Sequence, residues 1–324
     1  MDQFIHTNES DFIFIGGISI PTVNIPTPNF SIFKIQKRPA GYGLAEFTSG
    51  SIVVSLNGIE AEGFADDSAD ICELKATSEA LERFALKYFK KINLYSETSN
   101  GWACHFTAKQ AIDNAIFELI ERDVSLSSWE NTDLFYEIPE KLWPTEVINW
   151  RDQQTGEIEF SNLKILLNHN KNGCCVSVLL FNDKNNFVAG HASKYDLKQA
   201  IISATLECMR AAHSALRFEN FDNVIKLHSS APEIIEPGSH SLAYAYTVQM
   251  PDAVQTKRIS AEELLDLWGS HQRNFEKIEY SKFKINLFKI HDRFIARVKA
   301  DFLKDIYWGK SKDIIKNKYP HFVG

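Results

Sequence analysis

Two copies of one charged pattern stand out in the chain. Glu79-Ala80-Leu81-Glu82-Arg83 and Glu118-Leu119-Ile120-Glu121-Arg122 both read E-x-x-E-R, and Glu207-Cys208-Met209-Arg210 echoes them as E-x-x-R. Residues three apart on a helix share a face, so each full copy sets two carboxylates side by side. One such copy on a surface helix is an ordinary ion-pair pattern that contributes little. Two copies whose carboxylates border a buried face would repel unless a cation joins them. Magnesium meets that demand, because it takes a few carboxylates and completes its octahedron with water and phosphate oxygens. The arginines would then face phosphate, which a guanidinium grips in bidentate fashion. The residues alone point to a magnesium-nucleotide site built from helices, with no Walker A loop. Gly41-Tyr42-Gly43 lacks the third glycine of a dinucleotide fingerprint and reads as a turn.

Helices must position these carboxylates, and the periodicity supplies them. Apolar residues recur at 71, 74, 81, 85 and 88, predicting a helix from Ser68 to Phe89 with Asp67 or Ser68 as N-cap. At about 100° per residue Glu82 falls on the edge of the apolar stripe. A second helix is predicted from Ala108 to Trp129, opened by a Thr107/Gln110 capping box. Glu121 and Glu118 lie just beyond its apolar arc, while Asp123 falls inside it and must find a partner, for which a backbone group or an arginine is expected. A third helix is predicted from Leu197 to Leu216. Residues 1–62 alternate short apolar runs with Gly and Pro and read as strands. Leu163–Leu167 and Cys174–Phe181 read as a hairpin around a turn at 170–173.

Composition narrows the class. The 324 residues carry 35 Lys or Arg and 42 Asp or Glu, a formal charge of −7, which excludes a generally basic nucleic-acid coat. The length allows two domains or one large α/β domain. Five cysteines, Cys72, Cys104, Cys174, Cys175 and Cys208, form no C-x-x-C pair, so a reducing compartment is expected. The opening Met1-Asp2-Gln3 lacks a basic region and no apolar stretch is long enough to span a bilayer, so the expectation is a soluble cytoplasmic protein. The last 52 residues hold 13 Lys or Arg against 6 Asp or Glu, giving +7 beside −14 for the rest. This basic segment, 273–324, reads most simply as a solvated positive face; the sharper expectation is a tail or surface that steers an acidic leader peptide or partner, through Lys310, Lys312, Lys316 and Lys318. Cys104 is expected to be a buried inert thiol, Cys174-Cys175 to be core packing, and His105 and His191 to be structural imidazoles.

Beyond the repeat, Thr98-Ser99-Asn100-Gly101-Trp102-Ala103, then Thr107 to Gln110, Ala115 and Glu118-Leu119-Ile120-Glu121-Arg122-Asp123 resemble the S-N-G-x-A and E-L-I-E-R-D motifs of YcaO-domain proteins. Lys75 to Arg83 resembles that family's upstream helix, and Ala200 to Arg210, after Gly190-His191-Ala192, its later A-x-x-x-A-x-x-E helix. The resemblance implies a single α/β domain of YcaO type over residues 1–324, with its motifs within 63–216 and with sheets carrying long helices whose acidic faces form a Mg-ATP site. It implies ATP-dependent modification of backbone amides in a ribosomally made peptide, with azoline-forming cyclodehydration of Cys, Ser or Thr favoured over thioamide or amidine formation. A degenerate, non-catalytic subunit that binds a partner or leader peptide is the alternative from another class. By motif position Glu79, Glu82, Glu118 and Glu121 are the implied magnesium ligands. Arg83, Arg122, Glu207 and Arg210 join them around ATP. The implied partners are a precursor peptide and a leader-binding or sulfur-delivery protein, with no nucleic acid and no membrane; homodimerisation stays open. The sequence departs from the family at Phe106, at Gln110 where Glu is common, at Arg210 where Gln is frequent, and in lacking a proline-rich end.

Overall fold

The computed structural model describes residues 11–37, 43–45, 47–92, 94, 100–130, 135–153, 160–182, 187–216 and 256–303. The chain divides into two compact units. The first comprises Met1–Arg38, Glu46–Leu119 and Ile278–Leu303; the second comprises Pro39–Ala45, Ile120–Lys277 and Lys304–Gly324.

In the first unit, β1 (Asp11–Ile15), β2 (Ile18–Asn24), β7 (Trp102–His105), β13 (Lys284–Ile290) and β14 (Arg293–Lys299) form a sheet in the order β1-β2-β13-β14-β7. A second sheet is built on β5 (Thr48–Leu56), which pairs with β3 (Asn29–Phe30), β4 (Lys34–Gln36) and β6 (Ile59–Asp67). Asn57 and Gly58 join β5 to β6 with φ of 52° and 72°. Both values are positive, the condition of a type I′ hairpin turn. Helix α1 (Ala69–Lys91) packs against β5 and β6 and also touches β7 and β14. It is therefore covered on more than one side, and Cys72, Ala76, Ala80, Leu81, Phe84 and Ala85 are all fully buried. Burying Leu81 and Phe84 stabilises the unit by about 2–3 kcal/mol each.

Helix α2 (Ala108–Glu130) gives its residues up to Leu119 to the first unit and those from Ile120 on to the second. The second unit also holds a sheet of β8 (Phe135–Glu137), β9 (Phe160–Asn170), β10 (Gly173–Asn182), β11 (Phe187–Ala192) and β12 (Lys257–Arg258), in the order β11-β10-β9-β8-β12. Helix α3 (Thr145–Gln153) touches α4 (Leu197–Leu216), which covers β10 and β11. Helix α5 (Ala261–Glu276) packs on β10, and Ser260 and Glu263 cap it reciprocally.

The three predicted helices and the 163–181 hairpin lie where periodicity placed them, but several local expectations are corrected. Ser68 occupies the N-cap of α1 without a side-chain cap bond; its own N–H donates to Asp67 Oδ1 at 2.7 Å. The Thr107/Gln110 box is half made. Gln110 N–H donates to Thr107 Oγ1, but the threonine hydroxyl turns to the glutamine carbonyl oxygen at 2.7 Å. The basic segment is no tail over its described part. β13 and β14 are inner strands of a five-stranded sheet, burying Phe288, Ile290, Ile295 and Val298, and Arg293 and Arg297 are only 4% and 8% exposed. Lys310, Lys312, Lys316 and Lys318 lie outside the described residues, as do Gly41, Tyr42, Thr98 and Ser99. No helix among the described residues is long and apolar enough to cross a membrane.

Candidate functional site

The carboxylates are set by one strand-helix device that occurs in both units. In the first, Gly63 of β6 lies so close to α1 that a Cβ there would stand 2.0 Å from the Ala76 carbonyl oxygen and 2.3 Å from Ala80 N. In the second, a Cβ on Gly190 of β11 would stand 2.1 Å from the Ala204 carbonyl oxygen and 2.3 Å from Cys208 N of α4. Backbone opposes backbone at both places, so only glycine fits. The next residue then caps a helix carboxylate: Phe64 N–H donates to Glu79 Oε2 at 2.7 Å, and His191 N–H donates to Glu207 Oε2 at 2.9 Å. Glu207 is thus the structural counterpart of Glu79, and Arg210 stands where Glu82 does. The shared G-x-A of Gly63-Phe64-Ala65 and Gly190-His191-Ala192 marks the device in the sequence.

Three carboxylates act on one another in the first unit. Burial, then Glu118, then Glu79 push the Glu82 carboxyl well above the usual carboxylate range, against a lowering by Arg83. Glu82 keeps some surface, yet the atoms packed around it are dense enough to make desolvation the largest cause. Arg83 does not reach into this cluster as a free phosphate ligand. Its guanidinium pairs with Glu79 Oε1 at 2.6 Å, donates to the Glu62 carbonyl at 2.9 Å and lies over the Phe64 ring.

The second unit sets Glu121 beside cations. Glu121 is 8% exposed. Burial pushes it up to about 7, Glu207 adds to the rise, and Arg122, Lys194 and the Ser193 N–H oppose it. The Ser193 N–H donates to Glu121 Oε2 at 3.2 Å, and Arg122 Nε stands 3.6 Å from Glu121 Oε1. Asp123 is buried, as its place in the apolar arc required, and its partners include side-chain amides that the sequence reading did not name. Asn170 Nδ2 and Asn172 Nδ2 of the β9–β10 turn donate to its Oδ2 at 2.7 and 2.8 Å. His191 is buried and pushed down to about 3 by burial, then by Arg122; its Nδ1 meets Ser177 Oγ at 2.8 Å inside the sheet. Cys104 is a buried thiol raised far above its ordinary range by burial, and Cys174 is pushed up to about 12 by the same cause.

The donor set can be tested against magnesium. Among the described residues no three His, Cys, Asp or Glu side chains form a ready-made metal cage. Magnesium does not require one, since it is held by one or two carboxylates and takes its other oxygens from water and phosphates. Hard carboxylate oxygens that repel one another in the first unit fit that ion. Ser78, Arg293, Ser193 and Lys194 border these groups and were not singled out from sequence. The G-x-A repeat points to the strand ends near Ser193 and Lys194, whereas nothing in the sequence marks Arg293.

Residues 84–242 match the family model of YcaO cyclodehydratases, described as binding ATP and Mg2+. Among solved structures, the chain is similar to YcaO from Methanopyrus kandleri bound with AMPPCP and Mg2+, with a TM-score of 0.52 at 12% identity over 84% of this chain and 85% of that one. It is similar to the E. coli microcin synthetase McbBCD complex with pro-MccB17 bound, with a TM-score of 0.50 at 11% identity over 84% and 88%. A heterocyclase in complex with substrate and cofactor gives 0.53 at 11% identity over 83% of this chain and 49% of that one, so this chain spans about half of that protein. A search of curated proteins by sequence found no match. The chain therefore has the mixed α/β fold of YcaO structures, and the resemblance carried by its motifs is shown.

Proposed function

We propose that this chain is an ATP-dependent YcaO-type enzyme that modifies backbone amides of a ribosomally made peptide, with azoline-forming cyclodehydration as its reaction. The family-model match and the fold support the ATP-dependent class, and the two units are taken to serve as one YcaO domain. The observation that carries the reading is Glu82, pushed toward its neutral form by burial beside Glu118 and Glu79, a cluster that a divalent cation would relieve. Within the first unit Glu82, with Glu79 or Glu118 beside it, would hold magnesium through one or two carboxylates, with water and phosphate supplying the other oxygens. Within the second unit Arg122 and Arg210, with Glu121 and Glu207, would suit phosphate oxygens. Bound Mg-ATP would supply the phosphoryl group that makes the amide oxygen a leaving group. A Cys, Ser or Thr side chain of the peptide adds to the preceding amide carbon, that carbon's oxygen departs as phosphate, and the amide nitrogen gives up its proton as the C=N bond forms. Glu79 is fixed for its role by the Phe64 N–H, and Glu121 by the Ser193 N–H. The free thiols, all buried, suit a reducing compartment. A precursor peptide and a leader-binding partner complete the reading, in keeping with the peptide-bound synthetase complex of like fold.

One feature favours a second reading. Arg83, though 45% exposed, is held by Glu79 and the Glu62 carbonyl, so its donors are already engaged, as expected of a degenerate subunit that binds a partner without turnover. Calorimetric titration with ATP, with and without magnesium, separates the two. The enzyme reading expects magnesium-dependent binding that Glu82→Gln abolishes while circular dichroism stays unchanged. No binding at millimolar ATP, alone or with a partner, leaves the degenerate reading standing.

A further inference from the structure

The first unit buries a cation that the carboxylate site does not use. Arg293, the first residue of β14, lies outside the segment matched by the family model and is 4% exposed. Its Nη1 donates to Ser78 Oγ at 2.6 Å, and its guanidinium carbon lies 3.4 Å from the centre of the Phe106 ring, a close stack. Its Nε is buried without a hydrogen bond. The carboxylate within reach is Asp292, 3.5 Å away, which is about half exposed and already bonded to His291 Nδ1 at 2.7 Å. A guanidinium carries five N–H donors, and leaving any of them buried and unmet is costly.

What surrounds Arg293 shows the chemistry that would satisfy it. Ser78 precedes Glu79 by one residue and Glu82 by one helical turn on α1. The Cys104 thiol feels Glu82, Arg293 and the Ser78 hydroxyl together, so the buried guanidinium and the carboxylate cluster flank the same side chain. His105, next along β7, has a buried Nδ1 that also lacks a hydrogen bond. Burial, then Arg293, favours its neutral form, so it brings no second positive charge and can donate from one ring nitrogen. Two unmet buried groups thus gather beside a cluster suited to magnesium, while the Ser78 hydroxyl, which donates to the Leu74 carbonyl at 2.9 Å, anchors the guanidinium. Phe106, 40% exposed, covers one face of the guanidinium.

We propose that Arg293, held in place by Ser78 and joined by His105, is an anion site of the first unit that takes a phosphoryl oxygen, from magnesium-bound nucleotide or from free phosphate. The proposal rests on the reading of Glu79, Glu82 and Glu118 as a magnesium-nucleotide site. A purely structural arginine would tie β14 to α1 through Ser78 and would leave ligand affinity unmoved once the fold is intact.

Calorimetry on the full chain tests it with Mg-ATP, inorganic phosphate and adenosine as separate titrants, on wild type, Ser78→Ala, Arg293→Lys and Arg293→Gln. Arg293→Lys keeps the charge but not the planar fork, and it weakens Mg-ATP binding by about tenfold, or about 1.4 kcal/mol. Ser78→Ala, which frees the guanidinium from its anchor, weakens it several-fold, and neither variant changes adenosine binding. Where Arg293→Gln fails to fold by circular dichroism, Ser78→Ala and Arg293→Lys carry the test. Phosphate that binds without ATP, and is lost in Arg293→Lys, supports the anion site with free phosphate as its source while overturning the nucleotide reading. Wild type that binds Mg-ATP, with Ser78→Ala and Arg293→Lys matching it within about twofold, overturns the inference and leaves the nucleotide reading intact. Wild type that binds neither titrant overturns both.

Discussion

Glu121→Gln should flatten the dependence of stability on pH. A carboxyl whose native value is raised binds more protons in the folded than in the unfolded chain, so it stabilises the fold at acid pH and that contribution fades as pH rises. For Glu121 the window runs from the ordinary value of 4.5 to about 7. Linkage at about 1.36 kcal/mol per pH unit gives a loss of about 2.5 kcal/mol between about pH 5 and pH 8 from this one residue. Glutamine keeps the shape and an oxygen to accept the Ser193 N–H, but has no proton to lose. Urea unfolding of wild type and Glu121→Gln at those two pH values, without divalent metal, reads the difference directly. The wild type should lose about 2.5 kcal/mol more than the variant on going to the higher pH. Glu82 shifts in the same sense and remains in both proteins, so it cancels in the comparison. Parallel pH profiles would refute the claim that Glu121 is ionised against its surroundings, and with it the charge argument for the second unit.

Other consequences follow from the same packing. Gly63→Ala and Gly190→Ala each force a methyl against helix backbone at about 2 Å and should destabilise by at least 1–3 kcal/mol, read as a lowered unfolding midpoint; an unchanged midpoint would deny the close approach. Asp123→Ala strands the side-chain amides of Asn170 and Asn172 and should cost about 1–3 kcal/mol in urea unfolding, with Asp123→Asn milder because its carbonyl oxygen can still accept one bond. Native protein at pH 8 should leave Cys104, Cys174 and Cys208 unlabelled by a maleimide, and denaturant should release all five thiols; rapid native labelling of Cys104 would contradict its burial.

The helices were legible because each presents a continuous apolar stripe, and in α4 that stripe runs from Leu197 to Leu216 without a breaker. The strands of the basic segment were not, because charge masked alternation. In β14 the buried Ile295 and Val298 are interleaved with Arg293, Arg297 and Lys299, and both arginines are themselves buried. Charge counted along the chain reads such a stretch as surface, while pairing with β13 and β7 makes it interior. Asn57-Gly58 carried a hairpin signal that composition alone passed over, and the Ser260/Glu263 box marked α5 in the same way. At the site, spacing identified the carboxylates, since E-x-x-E is a local fact about one helix face. It could not reveal that Asp123 belongs to an asparagine turn, or that Arg83 is held by Glu62, because both partners come from distant strands.

The duplicated device also explains why the motif is asymmetric. Gly63 and Gly190 bring a strand against a helix in the same manner, and each fixes a glutamate through the next backbone N–H, so geometry gives both units the same starting point. What differs is the residue three positions on: Glu82 in one, Arg210 in the other. The first substitution adds a negative charge to a cluster that already holds Glu79 and Glu118, and the second adds a positive charge to a unit that already places Arg122 and Lys194 near Glu121. Negative charge is therefore concentrated in the first copy, whereas cations offset it in the second. Alpha-helical spacing makes each such change decisive, because a residue three along shares the face of the fixed glutamate and cannot turn away from it. One strand-helix template, with Glu82 in one copy and Arg210 in the other, accounts for a mutually repelling acidic group in the first unit and for acids set beside cations in the second.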